Sequence, residues 1–133
     1  MSRQKKQGTT HESWIVNELS AREYPARRIA EGGSNDEGDV EATLAGEKWV
    51  LEGKARSNLN VQQALGKARA KARAANGGVP VPVAVVWKRL VRVPGLQVRQ
   101  PVEGERVVVV LGWDDYVSLV DKATKGANSG RAE

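Results

Sequence analysis

Two acidic residues and a lysine stand together at one end of a predicted β-hairpin. Asp39 opens the stretch "DVEATL", and Glu52 and Lys54 close the stretch "WVLEGK". A two-residue turn at residues 45–46 would place Asp39 opposite Glu52, and directly opposed residues share one face with Cβ atoms about 5 Å apart. Lys54 lies two residues beyond Glu52 and projects on the same face. We therefore expect two carboxylates and an ammonium to gather at one point of the sheet.

This group of side chains suits the hydrolysis of phosphodiester bonds. Like charges directly opposite each other destabilise a strand pair, and a divalent cation between them would remove that penalty. The cation would polarise a phosphate and lower the pKa of a water molecule, while the lysine orients that water or stabilises developing charge. With no cysteine and one histidine, the ligands must be oxygens, which favours Mg²⁺ with Mn²⁺ as a substitute.

The same residues also have a simpler interpretation. Glu-x-Lys on a strand is common, and it usually marks a solvated strand end with a weak ion pair. The metal-site interpretation also depends on register, because a slip of one residue would turn Glu52 to the face opposite Asp39.

Length, composition and charge narrow the class of protein. A chain of 133 residues buries about two-thirds of its unfolded surface around a single core. No apolar run approaches the ~18 residues of a membrane helix, and no secretory signal is present, so we expect a cytoplasmic protein without a membrane partner. The formal net charge of +5 favours a polyanionic partner such as nucleic acid.

The order of predicted elements indicates a layered α/β domain. We expect a helix from about Thr10 to Arg22, strands at residues 26–30 and in the hairpin, a helix at residues 60–75, two valine-rich strands and a last helix capped around Asp114. Residues 1–8 are predicted to be a basic flexible arm, residues 9–123 the single domain, and residues 124–133 a disordered tail. Trp87, Trp113 and the valine runs are expected in the core, with a dimer surface as the second interpretation.

The helix predicted at residues 60–75 has one apolar face and one basic face, and Asn60 is its expected N-cap. Lys67, Lys71 and Arg73 lie on the basic face, which either is solvated or contacts DNA phosphates without sequence preference. His11, next to Glu12, is expected to be a surface or capping residue rather than a phosphate contact. The apolar face is formed by Val61, Leu65, Ala68, Ala72 and Ala75.

The spacing of these stretches resembles that of the PD-(D/E)XK nuclease superfamily. It is most similar to the small archaeal-type Holliday-junction resolvases and their phage relatives. The similarity covers roughly residues 11 to 75, and it rests on the stretches "HESWIVNEL", "ARRIAEGGS", "GDVEA", "WVLEGKAR" and "NVQQAL". Gly38 replaces the proline that usually precedes the aspartate. Gly53 replaces an apolar residue, and a glycine within a strand loosens it and is typical of a bulge.

The resemblance implies roles for individual residues. Asp39, Glu52 and Glu12 would be metal ligands, Lys54 the catalytic lysine, and Gln62 an assisting residue at the start of a helix. Alternatives remain open at three positions, where Glu18 competes with Glu12, Gln63 with Gln62, and Asp36 with Asp39. The residues expected to contact DNA are Arg27, Arg28, Ser34, Arg56, Lys67, Lys71 and Arg73.

The resemblance also implies a restriction-endonuclease-like three-layer fold, in which helices flank a mixed β-sheet. The implied activity is magnesium-dependent cleavage of branched DNA, in particular four-way junctions, in a bacterial or archaeal cell or its phage. A homodimer is expected because symmetric cutting of a two-fold substrate requires two sites. The alternatives are a nickase, a flap, restriction-type or RNA nuclease, and a basic DNA-binding protein without catalytic activity.

Overall fold

Three helices and seven strands make up the part of the chain that the computed structural model describes, namely residues 3–29, 39–92, 98–99 and 107–131. Ser34, Asp36 and Gly38 lie outside the described residues. The helices are α1 (Arg3–Ala21), α2 (Val61–Ala75) and α3 (Trp113–Arg131). The strands are β1 (Ala26–Arg28), β2 (Asp39–Leu44), β3 (Glu47–Arg56), β4 (Val83–Arg89), β5 (Val91–Arg92), β6 (Val98–Arg99) and β7 (Val107–Leu111).

Five of the strands form one open mixed sheet in the order β1-β2-β3-β4-β7. Only the pair β3–β4 in this sheet is parallel, and the other neighbours are antiparallel. A parallel pair needs a crossover connection, and α2 provides it between β3 and β4. Strands β5 and β6 pair with each other in a separate two-stranded sheet. The predicted α/β class is therefore confirmed, whereas β5 and β6 are strands that the sequence analysis does not predict.

The hairpin of β2 and β3 closes through two residues in the left-handed region. Ala45 has φ 51° and Gly46 has φ 79°, which are the positive values that a type I′ turn requires at both central positions. This tight turn leaves no freedom in the strand register. Asp39 consequently pairs with Glu52, as the sequence predicts.

The sheet carries a hydrophobic core on each face. Alternation along β3 directs Trp49 and Leu51 toward α1, and Val50 toward α2. The core on the α1 side contains Ile15, Val40, Ala42, Trp49, Leu51, Ala84 and Val86. The core on the α2 side contains Val50, Ala64, Leu65, Ala68, Ala72, Val83 and Val85. One helix therefore packs against each face of the strand that carries Glu52 and Lys54.

Helix α2 begins and ends near the predicted positions. The Asn60 side chain accepts a hydrogen bond from the backbone N–H of Gln63 at 3.0 Å, which confirms it as the N-cap. The buried face consists of Ala64, Leu65, Ala68 and Ala72, whereas Ala75, predicted on that face, is exposed. Small alanine side chains allow the helix axis to lie close to the sheet.

Gly53 marks the point where α1 approaches β3. A Cβ atom at this position would lie 3.5 Å from side-chain carbons of His11 and Ile15, and 3.6 Å from Cγ of Glu12. The β3–β4 register continues without interruption through Gly53 and Val86, so the glycine does not mark a bulge. His11 is fully buried, and its Nε2 donates a hydrogen bond to the Val86 carbonyl at 2.9 Å. The surface position expected for His11 is therefore wrong.

The first and last helices are longer than the sequence indicates. Helix α1 begins at Arg3, inside the segment predicted to be a flexible arm, and α3 continues to Arg131 through the segment predicted to be a disordered tail. Arg, Lys and Gln are good helix formers, and polar composition alone does not separate a solvated helix from an unstructured arm. Helix α3 starts at Trp113, so Asp114 lies in its first turn, where the helix dipole favours a carboxylate.

We expect the size of the side chain at position 53 to control how α1 docks. Gly53→Ala should change the free energy of unfolding by less than about 1 kcal/mol, because its Cβ makes ordinary van der Waals contacts. Gly53→Leu should lower it by about 1–3 kcal/mol, because the additional carbons overlap the α1 side chains. Urea unfolding followed by circular dichroism measures both, and equal stability of the leucine variant and the wild type would contradict this close approach.

Candidate metal centre

Asp39 and Glu52 form a buried acid pair on the α2 side of the sheet. Asp39 opens β2, Glu52 lies in the middle of β3, and the two are direct partners in the ladder. Their exposed fractions are only 4% and 6%. Burial of two adjacent carboxyl groups is unfavourable unless protons, counter-ions or a metal neutralise them. The solvated strand end that the simpler interpretation requires is therefore not what the structure contains.

Two lysines approach this acid pair from different elements. Lys54 of β3 places its Nζ atom 3.5 Å from Oε1 of Glu52. Lys71 of α2 places its Nζ atom 3.1 Å from Oδ2 of Asp39 and 3.9 Å from Oε2 of Glu52. The ammonium of Lys71 thus bridges the two carboxyl groups. Sequence reasoning placed Lys71 among the DNA-contacting residues and did not anticipate this position.

Glu12 adds a third buried carboxyl group from α1. Its Oε2 atom lies 3.6 Å from Nη2 of Arg28. Burial is the main cause that raises the pKa of Glu12, and the negative charge of Asp39 raises it further. The positive charges of Arg28 and Lys71 oppose this increase. Glu12 is therefore within electrostatic range of Asp39 and Lys71. The competing candidate Glu18 instead forms a surface ion pair with Arg22 at 3.2 Å.

Glu52 has the most strongly shifted pKa of this group. The pKa of Glu52 is raised to about 8. Burial is the largest cause, and the hydrogen bond and the charge of Asp39 add to it, whereas Lys71 and Lys54 oppose the increase. Two carboxyl groups held side by side cannot both ionise without cost. In the absence of a metal, Glu52 therefore retains its proton near neutral pH.

The donor set of the acid pair fits a hard divalent cation. Among the described residues, Oδ1 of Asp39 and Oε2 of Glu52 are buried oxygens that accept no hydrogen bond. Carboxylate oxygens of this kind are the ligands that Mg²⁺ prefers. In the same ranges, no three acidic or histidine side chains already converge as a metal-binding group. A cation held by Asp39, Glu52 and Glu12 would therefore require these side chains to close around it.

Four other predicted site residues are exposed, namely Gln62, Lys67, Arg73 and Arg56. Gln62 and Lys67 are exposed on α2, and Gln62 precedes Lys71 by about 13 Å along the helix axis. Arg73 is exposed and donates from Nε to the Gly78 carbonyl at 2.9 Å. Arg56 is exposed at the end of β3. The roles assigned to these residues stay predictions.

Arg27 and Arg28, on strand β1, have different surroundings. Nη2 of Arg27 forms an exposed ion pair with Glu41 at 3.2 Å, and Arg28 reaches the buried Glu12. Because neighbouring residues of a strand point to opposite faces, only Arg28 lies on the α1 side. Of the two arginines, Arg28 is the one that contacts Glu12.

The position of Lys71 could have been found from the periodicity of α2. Lys71 lies three residues after Ala68 and one before Ala72, both of which are buried. A residue with this spacing lies at the margin of the buried face, from which a lysine can extend over the sheet. Lys71 differs in this respect from Lys67 and Arg73, which are exposed on the same helix.

Comparison with known proteins does not assign the chain to a family, because no family model matches it and no curated protein sequence matches it. None of the helices in the described ranges combines the length and the apolar character needed to cross a membrane.

The raised pKa of Glu52 predicts a pH-dependent stability of the metal-free protein. Between its ordinary value of 4.5 and about 8, the folded protein keeps a proton that the unfolded chain has lost, so stability falls as pH rises through this window. The Glu52→Gln variant cannot ionise at this position, so it should lose less stability as the pH rises. At pH 8 its melting temperature should exceed that of the wild type by roughly 3 °C for each kcal/mol of difference in the free energy of unfolding.

Thermal unfolding in EDTA at several pH values from 5 to 8 measures this difference. Glu18→Gln provides the matched control, because Glu18 is a half-exposed acid paired on the surface, and it should follow the wild-type pH profile. Identical profiles for Glu52→Gln and the wild type would show that Glu52 is ionised throughout this range.

Proposed function

We propose that the protein is a magnesium-dependent DNA endonuclease that hydrolyses phosphodiester bonds in branched DNA, in particular four-way junctions. The observation that carries this proposal is the buried pair of Asp39 and Glu52, which face each other beside Lys54. Ionisable groups buried together at a stability cost, with a strongly shifted pKa, are typical of functional sites. The resemblance in motif spacing supports the choice of substrate.

Asp39 and Glu52 would hold the cation, and Glu12 would complete its ligand set from α1. When bound, the cation supplies positive charge at the scissile phosphate and lowers the pKa of the attacking water. Lys54 would orient that water or stabilise the negative charge that develops on the phosphate. Its packing on β3 beside Glu52 restricts the side chain, so little further ordering is needed for this role.

The basic residues around the acid pair would bind the DNA backbone. Lys67 and Arg73 are exposed on α2, the helix that also carries Lys71, and Arg56 is exposed at the end of β3. Arginine and lysine contacts with phosphates position a protein on DNA without reading its sequence. This binding mode suits an enzyme that selects its substrate by shape.

The restriction-endonuclease-like fold is part of the same proposal. A mixed five-stranded sheet with helices packed against both faces supports it. The hairpin that carries Asp39 and Glu52, followed by the crossover through α2, supports it further.

We also propose that the protein acts as a homodimer that pairs through α3. This helix exposes an apolar stripe at the spacing i, i+3, i+4, i+7, formed by Trp113, Tyr116, Val117 and Val120. Trp113, expected in the core, is 74% exposed. The outer strand β7, which directly precedes α3 in the sequence, exposes Val108 and Val109. Large exposed apolar areas mark interaction surfaces, and two-fold pairing would cover the same stripe on both copies and provide two sites.

Cleavage of a labelled synthetic four-way junction tests the activity. The wild-type protein should cut it with Mg²⁺ and not in EDTA. Asp39→Asn should reduce the cleavage rate by at least about 100-fold, because loss of a cation's charge stabilisation is worth several kcal/mol, and it should still bind the junction in a gel-shift assay. Glu18→Gln should cut like the wild type.

Comparison of junctions with flaps, duplexes and RNA identifies the substrate. Preferential cutting of another branched form or of RNA would keep the nuclease and change its substrate. Full activity of Asp39→Asn would remove that residue from the mechanism. Binding without metal-dependent cleavage of any substrate would leave a non-catalytic DNA-binding protein.

Sedimentation equilibrium tests the dimer. The wild type should have the mass of two chains, and Trp113→Glu should have the mass of one, because two-fold pairing would bury the new charge in the interface. Tyr24→Glu is the matched control, since Tyr24 is an exposed aromatic residue outside α3, and it should remain dimeric. A monomeric wild type at micromolar concentration would contradict the homodimer.

A further inference from the structure

We infer that Lys71 is an exchangeable counter-ion of the acid pair, whose ammonium group neutralises the site without metal and must be displaced before a divalent cation can bind. This inference rests on the cation site of the proposed function, and it adds a residue of α2 that sets the affinity of that site.

The position of the Lys71 ammonium is the first argument. Its Nζ atom lies 3.1 Å from Oδ2 of Asp39 and 3.9 Å from Oε2 of Glu52, so it stands between the two carboxyl groups. A bridging metal would need oxygens of the same two groups. Lys54 approaches Glu52 at the other oxygen, Oε1, at 3.5 Å. Lys71 therefore competes directly with a bridging cation for the oxygens of both acids.

The difference in exposure is the second argument. The Lys71 side chain is 37% exposed, whereas the side chains of Asp39 and Glu52 are 5% and 8% exposed. Lysine carries its charge on a flexible four-carbon stem. The ammonium can therefore move into solvent while the acids and both hydrophobic cores stay in place, so exchange with a metal needs no opening of the fold.

The charges of the group are the third argument. Asp39 and Glu52 have Lys54 and Lys71 as cationic neighbours, and Glu12 has Arg28. A divalent cation added beside an unmoved Lys71 would meet a like charge within a few ångströms at a buried site, where repulsion is strong. Its binding must therefore be coupled to departure of the ammonium, which leaves Lys71 available to a DNA phosphate.

Only molecules in which Lys71 has left the site can bind a metal. The apparent affinity for the metal is therefore the intrinsic affinity multiplied by the fraction of such molecules. Lys71→Met keeps a long apolar stem and removes the charge. It should bind a divalent cation about 10-fold more tightly than the wild type. Lys67→Met is the matched control, because Lys67 lies one turn earlier on the same helix and is exposed, and its affinity should be unchanged.

Titration of the full chain with Mn²⁺, with free Mn²⁺ followed by electron paramagnetic resonance and no DNA present, measures these affinities. Asp39→Asn should lose most of the binding. Lys71→Gln is a second uncharged variant that retains an amide donor to the acids, and it too should bind Mn²⁺ more tightly. Circular dichroism of each variant verifies that it is folded at the temperature of the titration.

The outcomes separate the two proposals. Wild-type binding that is lost in Asp39→Asn but unchanged or weaker in both folded Lys71 variants would overturn the role of Lys71 and keep the cation site. Binding that is unaffected by Asp39→Asn, or absent in every variant, would overturn the cation site and the inference together. Tighter binding in both Lys71 variants, with Lys67→Met like the wild type, would support the exchange.

Discussion

The direct opposition of Asp39 and Glu52 is the constraint on which the rest of the site depends. A two-residue turn with positive φ at Ala45 and Gly46 leaves the β2–β3 ladder one register, and that register places two carboxyl groups on one face. Burial then leaves three ways to relieve their repulsion, namely a proton, an ammonium group or a metal ion. The raised pKa of Glu52 and the bridging position of Lys71 are the first two of these.

The two hydrophobic cores hold α1 and α2 against the sheet and so position the charged side chains that these helices carry near the pair. Gly53 allows α1 to lie close to β3, and the hydrogen bond from His11 to the Val86 carbonyl anchors the helix at the residue before Glu12. On the other face, the alanines of α2 hold that helix close enough for Lys71 to reach the acids. The packing of the two helices therefore controls the electrostatics of the site, because a shift of either helix also moves the charged side chains that surround the pair.

Local signals in the sequence were sufficient for the hairpin register, the N-cap at Asn60 and the α/β class, because turn geometry and capping act over a few residues. They were insufficient where distant elements decide. His11 is buried because α1 packs against β3 and its ring reaches the Val86 carbonyl of β4. Lys71 reaches the acid pair because α2 packs against β4, the neighbour of β3 in the sheet. The lengths of α1 and α3 were missed because polar helix formers also occur in unstructured segments. Glu12, the expected ligand from α1, is buried, whereas its competitor Glu18 forms a surface ion pair.

A crystal soaked in Mn²⁺ shows whether Asp39 and Glu52 hold one divalent cation between them, as we propose. Anomalous diffraction locates manganese without assumptions about activity or substrate. We expect an anomalous manganese peak within about 2.2 Å of an oxygen from each carboxylate. The Lys71 ammonium should have moved away from the two acids. A crystal that binds Mn²⁺ elsewhere, or keeps Lys71 between the two acids at saturating Mn²⁺, would contradict it.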